Sequence, residues 1–205
     1  EIASCLVGSE MCIRDRLRET GWINFRMRAM LVSVATYPLW LHWRPVGEWL
    51  ARQFLDYEPG IHWSQMQMQA GTTGINTTRV YNPIKQAQDH DPRGHFVRQW
   101  LPTLRRVPDA WLLEPWRMPP DVQARCGVRV GHDIAVPLVD LDTATRTAKA
   151  RVHGLRAQPA VRAAQAAIVD KHGSRQFRDG GSPQARAQAR ARNAVQHPQQ
   201  QTLDF

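Results

Sequence analysis

Residues 56–81 read DYEPGIHWSQMQMQAGTTGINTTRVY, and this stretch decides the fold that we predict. It opens with two acidic residues, Asp56 and Glu58, followed by a Pro-Gly pair that ends any preceding helix. A new helix is predicted to begin near Ile61. Residues 71–76 are too rich in Gly and Thr to continue that helix, so they predict a loop.

The residues on both sides of this stretch predict further helices. An apolar stripe at helical spacing precedes it: Trp22, Phe25, Ala29, Val32 and Thr36. A second helix is predicted from Pro45, and a later one at Asp91 and Pro92, where a capping oxygen precedes a first-turn proline. Residues 160–172 form an Ala-rich helical pattern. Residues 107–120 are predicted to be an ordered segment that wraps around the helices without forming one itself. No alternating strand pattern is present, so the predicted fold is all-α.

Composition divides the chain into three segments. Residues 1–16, EIASCLVGSEMCIRDR, show neither helical nor strand periodicity, and we interpret them as a non-native leader. Residues 17–177 carry the helical patterns and are predicted to form the domain. Residues 178–205 are rich in Gln, Ala and Arg with few large apolar side chains, so a disordered tail is predicted.

Charge and missing motifs limit the function. The formal net charge is +9, with 27 Lys and Arg against 18 Asp and Glu, which favours a polyanionic partner, although a solvated basic surface is the alternative. No dinucleotide, P-loop, hydrolase or zinc-protease motif is present. The group His90, Asp91 and His95 is better explained as a helix start than as a metal site, so no metal is predicted.

Hydropathy and cysteine usage set the expected compartment. The apolar run at residues 29–43 is interrupted by Pro38 and is too short to span a bilayer, so no membrane association is expected. No secretory signal pattern opens the chain, and its 3 cysteines form no CxxC pair. A cytoplasmic location is therefore expected.

Several unusual short motifs follow one another along the chain in this order: TGW, FRMR, the acidic pair before a helix, RVYNP, DHDP, FVRQWLP and EPW. In that order they resemble the C-terminal, flavin-binding half of the DNA photolyase and cryptochrome family, over residues 17–156. The resemblance implies an all-helical FAD-binding domain, truncated at its N-terminus. Because part of the pocket would then be missing, we expect this stretch alone to bind FAD weakly.

The resemblance also assigns cofactor-binding positions. It places Arg28 and Asp56 as an ion pair beside the isoalloxazine ring, and the alternative is a purely structural salt bridge. Glu58 matches a second acidic position that contacts the ring. The residue facing flavin N5 falls on His62 or Trp63. Phe25 is grouped with the cofactor pocket, at the position where an Asn binds the dimer in photolyases.

Electron transfer is implied for two tryptophans. Trp43 matches the middle member of the family's chain of three tryptophans. The member nearest the flavin falls on Met66 or Gln67, which cannot be oxidised as an indole can, so Trp63 is the candidate substitute.

DNA contacts are implied at Arg26 and Arg79, which match phosphate-holding positions, with Lys85 and Arg98 as further candidates. Where photolyases stack a Trp on the flipped dimer, this chain has Met68 or Gln69.

By resemblance, the complete protein transfers an electron from light-excited reduced FAD to a pyrimidine dimer in DNA and so splits it. Two alternatives stay open: a cryptochrome-type photoreceptor that uses FAD without repair, and a basic helical DNA-binding module without flavin. The protein is expected to be a monomer. At its end, residues 200–205, from Gln200 to Phe205, have the Q-x-x-L-x-F spacing of sliding-clamp ligands, which predicts a clamp contact.

Overall fold

The fold is seen in a computed structural model that describes residues 9–75 and 78–172. These residues form helices and no named strand; one isolated bridge joins Val130 and Ile134. The all-α prediction is confirmed. The α-helices are α1 (Ser9–Thr20), α2 (Phe25–Thr36), α3 (Trp43–Ala51), α4 (Pro59–Gln69), α5 (Pro83–His90), α6 (His95–Trp100), α7 (Asp109–Leu112), α8 (Pro120–Cys126), α9 (Leu141–Ala157) and α10 (Pro159–His172).

Helix α2 is the centre of the fold and packs against α1, α3 and α4. Asn24 caps it, because its side-chain oxygen accepts a hydrogen bond from the Met27 amide at 3.0 Å. Every residue from Ala29 to the end of the helix is buried. The predicted stripe is confirmed from Ala29 onward, whereas Trp22 precedes the helix and Phe25 begins it, and both are exposed.

Helices α3 and α4 pack closely because a glycine lies between them. A Cβ atom added to Gly47 would come within 2.7 Å of the Trp63 ring. Helix α3 begins at Trp43, before the predicted start at Pro45, and α4 begins at Pro59, before the predicted start near Ile61. Both helices were therefore predicted, with starts displaced by one turn or less.

The start of α6 differs from the prediction. The helix begins at His95 after Gly94, whose positive φ of 65° closes the preceding turn. Gly94, and not Asp91, is the N-cap residue, although Asp91 Oδ2 accepts a hydrogen bond from the Val97 amide in the first turn at 3.1 Å. Pro92 lies in the turn and does not occupy the first helical position.

Residues 9–16 show no helical periodicity in the sequence, yet they are helical in the structure. These belong to α1, and Cys12 and Ile13 are 1% and 3% exposed in the main core. Their burial depends on α5 and α6, which pack against α1 from distant positions in the chain. The interpretation of residues 1–16 as a non-native leader stays a prediction.

The C-terminal part of the described chain is a helical hairpin of α9 and α10. Asp140 caps α9 by accepting a hydrogen bond from the Thr143 amide at 2.9 Å. The predicted helix over residues 160–172 is confirmed as α10. None of the helices within the described ranges combines the length and apolar character that a membrane span requires. The predicted tail at residues 178–205, with its clamp motif, lies outside the described residues.

Candidate functional site

Arg28 and Asp56 meet as an ion pair. The Nη2 atom of Arg28 donates to both carboxylate oxygens of Asp56, at 2.9 and 2.7 Å. Its Nε donates to the Ile23 carbonyl at 3.0 Å, and the guanidinium lies 4.1 Å from the centre of the Phe54 ring. Side-chain exposures of 23% for Arg28 and 48% for Asp56 show a pair at the edge of the core. The two groups that the resemblance joins are thus in contact.

A cavity of about 380 Å³ lies against this pair. Its volume is within the roughly 300–1,000 Å³ typical of small-molecule sites, and near the lower end. It can therefore hold a ring-sized ligand. The lining comes from the start of α2, the turn before α4, and α4: Trp22, Ile23, Asn24, Phe25, Arg28, Ala29, Phe54, Asp56, Tyr57, Glu58, Ile61, His62, Gln65, Met66 and Gln69.

One face of α4 forms a wall of the cavity. His62, Gln65, Met66 and Gln69 follow the i, i+3, i+4, i+7 spacing that places side chains on one side of a helix. His62, Met66 and Gln69 are buried, with exposures of 7%, 2% and 8%. The wall therefore combines one apolar side chain with three polar ones.

His62 is held in one tautomer. Its Nε2 lies 2.9 Å from the Gly47 carbonyl oxygen, which can only accept, so Nε2 carries the proton. Burial lowers the pKa of His62 below its ordinary value; the hydrogen bond to Gly47 opposes this change, and the charge of Arg28 adds to it. The ring is thus favoured in its neutral form, in which Nδ1 is an acceptor.

Glu58 has a structural task beside its place in the cavity. It caps α4, since its Oε1 accepts from the Gly60 amide at 3.1 Å and its Oε2 from the Ile61 amide at 2.6 Å. The residue that the resemblance places against the flavin ring therefore also fixes the start of the helix that lines the cavity.

The two candidate electron-transfer tryptophans are neighbours. The ring centres of Trp43 and Trp63 are 6.1 Å apart, and those of Trp63 and His62 are 5.0 Å apart. Trp63 donates its indole N–H to the Tyr57 hydroxyl at 3.2 Å. Tyr57 and His62 line the cavity, whereas Trp63 lies behind them and is not among its lining residues. Of the two positions open for flavin N5, only His62 reaches the cavity.

Some of the positions that match dimer-binding residues line the cavity and others do not. Phe25 lines the cavity and is 56% exposed. Gln69 lines the same cavity, whereas Met68 is half-buried and is not part of its lining. Of the two positions left open, Gln69 is therefore the one that reaches the cavity.

The candidate DNA-binding cations lie on the surface and outside the cavity lining. Arg26 donates from Nη1 to His90 Nε2 at 3.0 Å, which ties the start of α2 to the end of α5. Lys85 lies 3.4 Å from Asp89 on the exposed face of α5. Arg79 is exposed in the segment after the loop. Their role in DNA binding stays a prediction.

Arg98, the further DNA candidate, makes several hydrogen bonds within the fold. It donates to the Arg93 carbonyl at 2.7 Å, to the Val107 carbonyl at 2.9 Å and to Asp109 at 2.6 Å. These bonds hold the segment between α6 and α7 in place. Arg98 thus has a structural role, and its contact with DNA stays a prediction.

Tyr57 and Gln65 are among the cavity residues that the sequence did not predict. Helical phase could have found Gln65, which follows His62 by three residues and precedes Gln69 by four on α4. Tyr57 lies between the two acidic residues of the opening stretch and gave no signal of its own. Among the described residues, no cluster of three His, Cys, Asp or Glu side chains could hold a metal ion.

The residues present fit a flavin ring. The cavity has both apolar and polar walls, a guanidinium at its edge, and a buried acceptor, Gln65 Oε1, that no donor in residues 9–75 and 78–172 reaches. A buried acceptor without a partner is matched when a ligand brings an N–H group. Arg28, Asp56, His62 and Gln65 are the residues that would hold the ring.

A sequence model described as the FAD binding domain of DNA photolyase matches residues 12–154. Among curated relatives, Cryptochrome DASH of Gloeobacter violaceus is 38% identical over 126 residues, 61% of this chain and 25% of that protein. A deoxyribodipyrimidine photo-lyase of Alkalihalophilus pseudofirmus is 32% identical over 130 residues, 62% of this chain and 27% of that protein. The chain thus spans about a quarter of the length of these relatives.

Solved structures show the same fold. The Synechocystis sp. PCC6803 cryptochrome superposes with a TM-score of 0.68 at 27% identity, covering 72% of this chain and 31% of that one. A class III photolyase from Agrobacterium tumefaciens gives a TM-score of 0.68 over 76% of this chain and 33% of that one, and at 23% identity this likeness shows the fold alone. With the family match spanning most of the described residues, the chain belongs to the DNA photolyase and cryptochrome family, of which it carries part of the FAD-binding domain.

Proposed function

We propose that the chain is part of a flavoprotein that uses light to split pyrimidine dimers in DNA. The observation that carries this proposal is the Arg28 and Asp56 ion pair on the wall of a ring-sized cavity. The family match supports the cofactor, and photolyases among the relatives support the reaction. The cavity would hold the isoalloxazine ring of FAD.

When bound in its reduced form, FAD supplies the electron that light transfers to the dimer. The chain's own residues prepare the site for that ring. Arg28 brings a positive charge beside it, which favours negative charge on the ring. Asp56 and the Ile23 carbonyl fix the guanidinium in place, because three of its hydrogen bonds go to these two partners. Met66 and His62 exclude water from one side of the ring.

DNA would approach over the cationic surface. Arg26, Arg79 and Lys85 are exposed, and a guanidinium or ammonium group there can pair with backbone phosphates. The net charge of +9 favours the same partner. A flipped dimer would meet Phe25 and Gln69 at the cavity, where an aromatic face and an amide are available for stacking and hydrogen bonding.

Trp43 and Trp63 are proposed to carry electrons from the protein surface toward the cavity. Their rings are in edge contact, and Trp63 reaches the cavity through His62 and Tyr57. Transient absorption of the FAD-loaded complete protein tests this role. A Trp63→Phe variant is expected to lose the tryptophan radical signal, whereas Trp49→Phe, on α3, is expected to keep it. Equal signals in both variants would remove Trp63 from the route.

The second candidate function is a cryptochrome-type photoreceptor. One cavity position favours it, since Phe25 stands where photolyases use an Asn to bind the dimer. Cryptochromes are also among the relatives, including an Arabidopsis thaliana Cryptochrome-2 that is 35% identical over 153 residues. Such a protein would use the same cavity without repairing DNA.

The deciding experiment uses the complete protein with FAD and DNA that contains cyclobutane dimers. Repair predicts that blue light removes dimers in proportion to dose, and that the dark control removes none. A photoreceptor predicts a light-driven change in protein conformation with dimers left intact. Absence of bound flavin from the purified complete protein would overturn both functions and leave a basic helical module.

A further inference from the structure

Gln65 has a buried acceptor that the fold does not use. Its Oε1 atom is inaccessible to solvent and has no hydrogen-bond partner in the described parts of the chain. The side chain nevertheless lines the cavity beside Arg28 and Asp56. An unmet buried acceptor costs about 1–3 kcal/mol of folding stability. The protein therefore carries a stability cost at a position that faces a ligand site.

The chemistry of the amide defines what can match it. A glutamine side chain holds one acceptor and two donor hydrogens in a single plane. Its complement is a ring edge on which an N–H group lies next to a carbonyl oxygen. A pyrimidine-dione ring carries that edge as its imide, with the N–H between two carbonyls. The isoalloxazine of a flavin and the base thymine both contain it.

The surroundings favour this edge over an adenine edge, which an amide can also pair with. Arg28 lies on the same cavity and brings a cation that stabilises a carbonyl oxygen, and adenine has no carbonyl. His62, with its proton on Nε2, adds a second neutral acceptor on the same face of α4. A ring with N–H and carbonyl groups satisfies both kinds of partner.

We propose that Gln65 reads the imide edge of a pyrimidine-dione ring, with Oε1 accepting the ring N–H. This inference rests on the proposed function, since it names how the ring would be recognised in that cavity. It concerns a residue that neither the resemblance nor the family match assigned a role. The shared imide leaves two sources, the flavin ring and a thymine of DNA, and the experiment separates them.

The experiment measures binding of matched ligand pairs to the 205-residue chain by nuclear magnetic resonance titration, which detects weak affinities. The pairs are riboflavin with N3-methylriboflavin and thymidine with N3-methylthymidine, and adenosine serves as a further probe. Methylation removes the imide donor. The variant is Gln65→Met, which keeps the length of the side chain without an acceptor. The control is Gln67→Met, an exposed glutamine on the same helix.

The wild-type chain and Gln67→Met are expected to prefer the unmethylated ligand of one pair by about three- to tenfold more than Gln65→Met does. A preference within the riboflavin pair assigns the amide to the flavin, and one within the thymidine pair assigns it to DNA. Riboflavin binding with the same methyl preference in all three proteins would overturn the inference and leave the proposed function standing. Binding of adenosine that depends on Gln65 would also overturn it, as would no binding of any probe, and the proposed function would then rest on the experiment with the complete protein.

Discussion

Two arginine–aspartate pairs of nearly equal length occur in different regions of the fold. Arg28 and Asp56 are 2.7 Å apart, and Arg98 and Asp109 are 2.6 Å apart. The two arginines are also similarly exposed, at 23% and 25%. Their surroundings differ. Arg98 gives its other hydrogen bonds to two backbone carbonyls, whereas Arg28 lies over the Phe54 ring and lines a cavity.

Because the two pairs are alike in length and differ in their surroundings, an ion pair alone does not identify a functional site. Both pairs bring together groups from separate helices or turns, and both contribute to the fold. Only the Arg28 pair lies against the cavity described above, next to an unmatched acceptor and a neutral histidine. The cavity, and not the salt bridge, is the feature that favours a cofactor.

The largest effect is expected from Arg98→Met. This change removes hydrogen bonds to Arg93, Val107 and Asp109, and should lower the free energy of unfolding by about 3 kcal/mol. Chemical denaturation measures it. Arg105→Met is the control, since the one side-chain hydrogen bond that Arg105 makes to the described part of the chain goes to the Arg98 carbonyl at 3.2 Å. If Arg98→Met lowered the free energy of unfolding less than Arg28→Met does, the Arg28 pair would be the more structural of the two.

Arg28→Met should affect binding more than folding. An exposed ion pair adds little in either case, and Arg28 bonds one backbone carbonyl where Arg98 bonds two, so loss of Arg28 should lower the free energy of unfolding by only about 1 kcal/mol. Flavin affinity should fall about tenfold or more, because a charged donor beside the ring is lost. Titration with FAD measures the affinity, in parallel with Arg98→Met at a temperature where both variants are folded. Equal FAD affinities in Arg28→Met and Arg98→Met would contradict a separate binding role for the Arg28 pair.

A pH dependence of stability is expected from His62. Its pKa in the folded protein lies below the ordinary value of 6.5, so the unfolded chain binds more protons below that pH. The contribution of His62 is therefore complete above pH 6.5 and is lost as the pH falls toward the folded pKa, by at most about 1.4 kcal/mol per pH unit. Denaturation between pH 7 and 5 checks this. His62→Gln should flatten the slope, and an unchanged slope would contradict the burial of a neutral ring beside Arg28 and Tyr57.

The smallest effect is expected from Gln65→Met in the absence of ligand. Removing an unmatched buried acceptor should leave the free energy of unfolding unchanged or raise it by up to about 1 kcal/mol. Gln67→Met should change it by no more than about 0.5 kcal/mol, because that side chain is exposed. Thermal melts of both variants make the measurement. Clear destabilisation by Gln65→Met would mean that the amide serves the fold.

Sequence alone predicted the helices with strong apolar patterns or clear breaks. α2 was predicted because its residues from Ala29 onward are apolar on nearly all sides, and α4 because residues 56–60 interrupt the helical pattern that begins at Pro45. The helical part of residues 1–16 was missed because burial in α1 depends on contacts with α5 and α6. α5 and α9 were missed because most of their side chains are polar or small.

The site was predictable only in part. The pairing of Arg28 with Asp56 followed from the resemblance, and the structure brings the two groups together. Gln65 was missed because a glutamine on a helix is usually solvated, and only the cavity shows that its oxygen is buried. The choice between His62 and Trp63, or between Met68 and Gln69, depended on which face of α4 is turned to the cavity. A shift of one residue in the match changes which side chain of α4 faces the cavity.

The most direct test follows the two arginine side chains while FAD is added to the ¹⁵N-labelled chain. Each Arg Nε–H group gives its own resonance, so the two pairs report separately in one sample. The account predicts saturable shifts of the Arg28 Nε and Gln65 amide resonances, with the Arg98 resonance unchanged. Shifts at Arg98 with none at Arg28, or no saturable shift at either, would contradict a flavin site at the cavity.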